Sequence, residues 1–308
     1  MLEIRNLSKR FGPLTAVDDF TLTIPGGEIM GFVGPNGAGK TTTMRMIAGL
    51  IEPDEGSIHV DGINAVEDAP AVRRVLGYMP DFFGLYDDLK VWEYLDFFAA
   101  AYRIPRKDRG LLVDQVLELT DLTVKKDAFV ESLSRGMKQR LCLAKTLVHD
   151  PKLLLLDEPA SGLDPRARIE LRTLLKELQS MGKTILISSH ILSELSDICS
   201  HVVIIEKGRL LLAGPIKETL KNMTLQTRWM IELLDGSEAG VEVLKRFASL
   251  EVREAAHGKI VFDNLAVPDN SHEVLKALVD AGVGVRQYKQ VEAGVEGLFL
   301  QVTKGEVA

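Results

Sequence analysis

One octapeptide, Gly34-Pro35-Asn36-Gly37-Ala38-Gly39-Lys40-Thr41, limits what this chain can become more than any other stretch. It fits G-x-x-x-x-G-K-[ST] and stands between an apolar run at 28–33 and a helical pattern at 41–50, with Met44, Ile47 and Ala48 on one face. Strand, glycine loop and helix in that order read as a P-loop. Gly34, Gly37 and Gly39 let successive N–H groups turn into one concavity at a helix N-terminus, a nest for phosphate oxygens. Lys40 brings a positive charge to the β- and γ-phosphates, and the Thr41 hydroxyl is a ligand for Mg²⁺. Asn36, Ala38 and Thr42 complete the nucleotide-binding set. A glycine-rich turn that merely ends in Lys-Thr is the plain alternative, and the flanking strand and helix argue against it. Which nucleotide is held, and why, stays open at this point, because many unrelated activities share the loop.

Composition narrows the classes. The 308 residues exceed the usual single-domain size, and 46% hydrophobic residues suffice for two cores. Acidic side chains outnumber basic ones by 44 to 37, a net charge of -7 with no basic run, so nucleic acid is not the expected partner. The apolar stretches 97–102 and 153–156 fall far short of the roughly 18 residues that span a bilayer. The alternating start Met1-Leu2-Glu3-Ile4-Arg5 lacks a signal-peptide layout, which predicts a cytoplasmic chain. Cys142 and Cys199 sit at apolar helical positions and read as buried thiols rather than a disulfide or metal pair.

Strand patterns at 2–5, 16–24 and 57–60 predict a mostly antiparallel layer, with Phe11 in an exposed-looking position that suits either stacking on a purine base or a core or hinge phenylalanine. From about 88 to 148 the spacing turns helical (91–102, 111–119, 137–148), an insert between two segments of the site. Ser134 is placed to cap the last of these helices. The uniformly apolar 153–156 predicts a central parallel strand, ending in Asp157-Glu158-Pro159. At that end an aspartate reaches Mg²⁺ and a glutamate reaches the attacking water. Asp164-Pro165 fits an N-cap and first helical residue, before Leu171, Leu174, Leu175 and Leu178. A second buried-type strand, 184–188, ends at Ser189-His190, parallel to the first acid pair. A helix at 191–199 and strands at 202–205 and 209–213 complete the unit. From about 227 the order is β-α-β-β-α-β, a ferredoxin-like unit with no catalytic constellation. There Asn270 and Glu273 suggest a capping box, Leu275, Leu278 and Val279 a buried face, and a last short helix at 295–302 presents Leu298, Phe299 and Val302.

Taken in order, these motifs resemble the ATP-binding subunit of an ABC transporter over about the first 215 residues. The carriers are the Walker A loop 34–41, Leu133-Ser134-Arg135-Gly136-Met137-Lys138-Gln139-Arg140 as signature, Walker B 153–158, the D-loop 161–164 and His190 as switch histidine. The Arg-Gly-Met signature and the C-terminal region resemble the branch that exports drugs, lipids, natural products or ions. The resemblance implies an α/β P-loop fold with mixed central sheet, antiparallel layer and helical insert (about 85–150) in a domain 1–220, plus an accessory α+β domain 221–308. It implies ATP and Mg²⁺, a homodimer or heterodimer of nucleotide-binding subunits arranged head to tail, and an integral membrane permease, with the chain peripheral on the cytoplasmic face of the membrane. Lys40, Glu158 and His190 are then catalytic, Thr41 and Asp157 hold the metal, and Phe11 stacks on adenine. Ser134, Gly136 and Asp164 reach the partner's nucleotide.

Two residues depart from the family pattern. Asp81 stands where glutamine is usual after Gly77-Tyr78-Met79-Pro80, and an acid there is a further candidate metal ligand. Arg135 and Met137 replace the commonest glycine and glutamine. Phe82, Phe83, Tyr86 and Trp92 suit either a docking surface for the permease or the insert's own core. The competing readings are a soluble ABC ATPase of translation or DNA repair, and a nucleotide-binding regulator with little turnover.

Overall fold

The computed structural model describes residues 1–308 except 83, 191–194, 196–197, 217, 220–226, 235–236, 257, 266–269 and 292–308. Backbone proximity divides the chain into two compact units at Pro215 and Ile216. In the first, β1 (Leu2–Phe11), β2 (Leu14–Ile24), β4 (Glu55–Val60) and β5 (Ile63–Asn64) form an antiparallel sheet in the order β2-β1-β4-β5. β1 runs through Phe11 to a tight turn, where Phe11 pairs with Leu14. A second sheet takes the order β10-β9-β3-β8-β7-β6. Its strands are β3 (Ile29–Val33), β6 (Leu76–Met79), β7 (Leu153–Leu156), β8 (Thr184–Ser189), β9 (His201–Glu206) and β10 (Arg209–Pro215). Every pairing is parallel except β9 with β10.

The uniformly apolar strands are covered on both faces: every residue of β3, β7 and β8 is buried. β1 and β2 instead alternate for much of their length, as half-covered strands do. Between the sheets lies α1 (Lys40–Ile47), whose Met44, Met46 and Ile47 share one core with Ile4, Phe20 and Ile58 on one side and Phe32, Leu155 and Val203 on the other. Phe20 and Phe32 meet at 5.8 Å between ring centroids. The insert contains α3 (Val91–Ala101), α4 (Arg106–Leu119) and α5 (Arg135–Leu147), followed after β7 by α6 (Pro165–Ser180). Cys142 and Cys199 are free and buried, and burial pushes both thiols above their ordinary pKa. Among the described residues no helix is long and apolar enough to cross a membrane.

Three elements escape the sequence pattern, α2 (Ala69–Val75), the two-residue β5 and β6. β6 holds a glycine at its second position, which weakens any strand signal. That glycine is required: a Cβ on Gly77 would lie 2.6 Å from the Thr146 side chain of α5.

The second unit forms a four-stranded antiparallel sheet in the order β12-β13-β11-β14. The chain runs β11 (Thr227–Leu233), α7 (Ser237–Leu244), β12 (Leu250–Ala256), β13 (Lys259–Asn264), α8 (Ser271–Asp280) and β14 (Val285–Val291). Ile231, Leu233, Leu244, Ile260, Phe262, Val274 and Leu278 make its core. Two expectations fail in α8. Asn270 is the N-cap residue but makes no side-chain cap, because at φ -107 and ψ 21 its own carbonyl takes the Glu273 N–H at 2.9 Å. The helix buries Val274 and Leu278, leaves Leu275 partly covered, and turns Val279 to solvent at 61% exposure. The expected helix at 295–302, most of 191–199 and Phe83 lie outside the described residues.

Candidate functional site

The site is built at the carboxyl ends of parallel strands, where β3 delivers the glycine loop, β7 the acid pair and β8 the histidine. Gly39 is the N-cap of α1 at φ 103 with no side-chain cap, which leaves the helix's first N–H groups to the loop. Only glycine fits at two points of the turn. A Cβ on Gly34 would strike the Ile205 carbonyl of β9, and one on Gly39 the Ala16 carbonyl of β2. Behind the loop, Gly208 donates its N–H to the Ala38 carbonyl at 3.0 Å and accepts from the Asp18 N–H at 3.0 Å. The loop is thus braced by both sheets.

Lys40 is 7% exposed, and its ammonium donates to the Gly34 carbonyl at 2.6 Å and the Pro35 carbonyl at 3.1 Å. Burial pushes its pKa down, while Glu158 and Asp157 pull it back up. Glu158 Oε1 lies 3.9 Å from Lys40 Nζ, and Oε2 lies 2.9 Å from His190 Nδ1. A carboxylate only accepts, so that contact places a proton on Nδ1. Glu158 is held at φ 50, a left-handed conformation that costs a non-glycine residue on the order of 1 kcal/mol.

Asp157 is 1% exposed. Its Oδ1 accepts from the Ser188 hydroxyl at 2.6 Å, and the same hydroxyl oxygen accepts the Glu158 N–H at 2.9 Å. Its Oδ2 is buried with no hydrogen-bond partner. A buried anionic oxygen left bare is costly unless something cationic meets it. Among the described residues no cluster of three or more His, Cys, Asp or Glu side chains forms a metal cage. One carboxylate with a bare oxygen beside a phosphate loop suits Mg²⁺, which is commonly held by one or two carboxylates together with substrate phosphates.

The remaining sequence-predicted residues are spread over several elements of the first unit. Thr41 and Thr42 open α1, partly covered. Phe11 ends β1 at 46% exposure, with the Lys9 ammonium 5.5 Å from its ring centre. Asp81 is exposed in the bend after β6. Ser134 is exposed and caps α5 by accepting the Met137 N–H at 3.3 Å. Asp164 caps α6, accepting the Ala167 N–H at 2.9 Å, with Pro165 first in the helix. Phe82 is 89% exposed and Tyr86 53%, the latter edge-on to Phe97 at 5.8 Å. Ser188 carries almost no signal in the sequence. Its only signal is the buried small hydroxyl two residues before His190, on a strand adjacent to the acid pair.

A braced phosphate loop at a parallel strand end, with an acid pair on a nearby strand, defines the P-loop nucleotide-binding class. Comparison with known proteins narrows it. A family model described as ABC transporter matches residues 17–161. Nod factor export ATP-binding protein I of Burkholderia lata is 36% identical over 313 residues, covering 99% of this chain and 98% of that protein. The uncharacterized ABC transporter ATP-binding protein YhcH of Bacillus subtilis is 33% identical over 98% of this chain and 96% of its own. Among solved structures, an ATP-binding subunit of an ABC transporter superposes with TM-score 0.66 at 31% identity, over 73% of this chain and 93% of that one. CbiO1 of Clostridium perfringens, part of the cbiONQ transporter complex, gives TM-score 0.64 at 28% identity over 73% and 94%. The chain belongs to the ABC transporter ATP-binding protein family. It is an ATP-binding, ATP-hydrolysing subunit of a transporter.

Proposed function

We propose that this chain drives export through a separate integral membrane subunit, by head-to-tail closure of two nucleotide-binding subunits, alike or different, around ATP. The observation that carries the catalytic part is the convergence of Lys40 and His190 on the two oxygens of Glu158, beside the bare Oδ2 of Asp157. In this reading the Lys40 ammonium leaves its loop carbonyls for the β- and γ-phosphates. Glu158 polarises the attacking water, and His190, oriented through Nδ1, contacts the γ-phosphate. Thr41 and Asp157 would hold Mg²⁺, which supplies charge neutralisation for the phosphate oxygens. Phe11 stacks on adenine, its exposed ring at a strand end suiting it to that role. Ser134, Gly136 and Asp164 face the partner's nucleotide, and the exposure of Ser134 and Asp164 supports this. The export direction rests on relatives named for export along nearly their whole length.

The permease is expected to cover the exposed Phe82, Tyr86 and Phe97, which places the chain at the cytoplasmic face of the membrane. Asp81, exposed and next to Phe82 in the chain, is assigned a water or Mg²⁺ contact. Residues 221–308 act as an accessory domain in addition to the ATPase domain 1–220.

The decisive variant is Glu158→Gln, which keeps the side chain's size and removes its basicity. Hydrolysis is expected to fall by about 100-fold or more, with ATP binding retained and an ATP-dependent dimer on gel filtration. Turnover equal to wild type would contradict the role of Glu158, and a monomer in saturating ATP would contradict head-to-tail closure.

A further inference from the structure

The first turns of α5 carry Ser134 and Gly136, which the proposal above sets against a partner's nucleotide. Those turns are also fastened to the main chain that follows Glu158 in the same subunit. Arg135 donates from Nη2 to the Ser161 carbonyl at 3.3 Å. Its guanidinium lies over Gly162, so close that a Cβ there would fall inside contact distance of it. Gln139, one turn further on and 5% exposed, donates from Nε2 to the Pro159 carbonyl. Leu163 packs beneath Gly136, 3.5 Å from where a Cβ would sit. Residues 159–162 form a turn outside the sheet, so these side chains take carbonyls that no strand neighbour satisfies.

We infer that Arg135 and Gln139 are positioning residues that lock the turn after Glu158 onto the signature helix. A shift of Ser134 and Gly136 against the partner's nucleotide is then passed through 159–162 to the carboxylate acting on the subunit's own nucleotide. A planar, multiply donating arginine at position 135 suits this task, since it both hydrogen-bonds Ser161 and covers Gly162. The inference rests on the head-to-tail reading, and its test separates the two.

The experiment is steady-state hydrolysis by the full chain with ATP and Mg²⁺. Arg135→Ala is expected to lower kcat by about tenfold, the worth of one hydrogen bond to a charged group, while KM for ATP stays within about twofold. The thermal midpoint should hold, because Arg135 is exposed. Gly162→Ala puts a methyl group where the guanidinium lies and also strains the turn at φ 69, so it should lower kcat at least as much. The double variant should then be no slower than Gly162→Ala alone, because both changes break one contact. Losses that multiply in the double variant, or a raised KM at unchanged kcat, would overturn the inference. Glu158→Gln is run alongside. If it fails to dimerise in ATP, the head-to-tail reading falls and takes this inference with it. If it dimerises while Arg135→Ala keeps full kcat, the positioning role alone is wrong.

Discussion

Asp157 and Asp263 are each 1% exposed, one in each unit of the chain, yet they are satisfied in opposite ways. Asp263, on β13, meets the Arg253 guanidinium of β12 at 2.8 Å, and Arg253 also reaches Glu251 at 2.8 Å. Asp157, at the end of β7, has a hydroxyl on one oxygen and nothing on the other. Burial alone therefore says little about purpose. A buried acid with its own cation is part of the scaffold, whereas one held in place by a hydroxyl has an oxygen to spare for a cation from outside. The units divide in the same way. The first unit sets Asp157 beside Glu158, held at φ 50, at the end of β7, whereas Asp263 lies within a strand of a sheet whose described residues build an apolar core with two helices.

The largest expected effect tests that contrast directly. Asp157→Asn keeps the Ser188 contact but removes the charge a divalent cation needs, so Mg²⁺-dependent hydrolysis should fall by about 100-fold or more. Its thermal midpoint without nucleotide should change little. Asp263→Asn should do the reverse, costing about 1–3 kcal/mol of stability while kcat per folded molecule is kept. Arg253 is 51% exposed, so its stranded charge can still reach water, which keeps this cost moderate. Denaturant melts with parallel hydrolysis assays would break the comparison if Asp263→Asn lost activity without losing stability.

A smaller effect, confined to acid pH, comes from His149, which follows α5. Its ring stacks on Tyr102 at 3.8 Å and its Nε2 contacts the Leu76 carbonyl at 3.0 Å, while Nδ1 is buried without a partner. Burial pushes its pKa below the ordinary 6.5, against an upward pull from the Leu76 hydrogen bond and Asp150; Lys183 lowers it further. The folded state then binds fewer protons than the unfolded chain once pH falls below about 6.5. Stability from this group is complete above that pH and is lost as pH drops toward the lowered value. Thermal midpoints measured from pH 8 to pH 5 should therefore fall more steeply for wild type than for His149→Gln. Parallel curves would show that His149 does not contribute.

How much of this could be read from the residues depends on how each feature is encoded. The P-loop was legible because its backbone needs glycine at fixed points, and Gly34 and Gly39 are required by carbonyls of other strands. β3 and β7 were legible because parallel strands covered on both faces are apolar throughout. Ser188 was not, since a serine at a strand end carries no pattern and its importance comes from β8 lying beside β7. Arg135 looked like a mere departure from the usual glycine until Gly162 proved to lie beneath it. The motif named the residue types that meet ATP, while the contacts among motifs arise from topology.

The smallest effect sets two helix N-termini against each other, one from each unit. Asp164 accepts the Ala167 N–H at 2.9 Å, so Asp164→Ala should cost about 1 kcal/mol, measured without nucleotide to isolate the cap. Asn270 is also a cap-type residue, with Glu273 three residues on, yet makes no side-chain cap, and its Oδ1 is buried without a partner. Asn270→Ala removes an unsatisfied acceptor and no hydrogen bond to the helix. Its φ of -107 is open to alanine, so the change in stability should lie within about 0.5 kcal/mol of zero. A loss of about 1 kcal/mol at Asn270 would mean that its side chain does cap α8 in solution. The second unit would then hold its helix as tightly as the first holds α6.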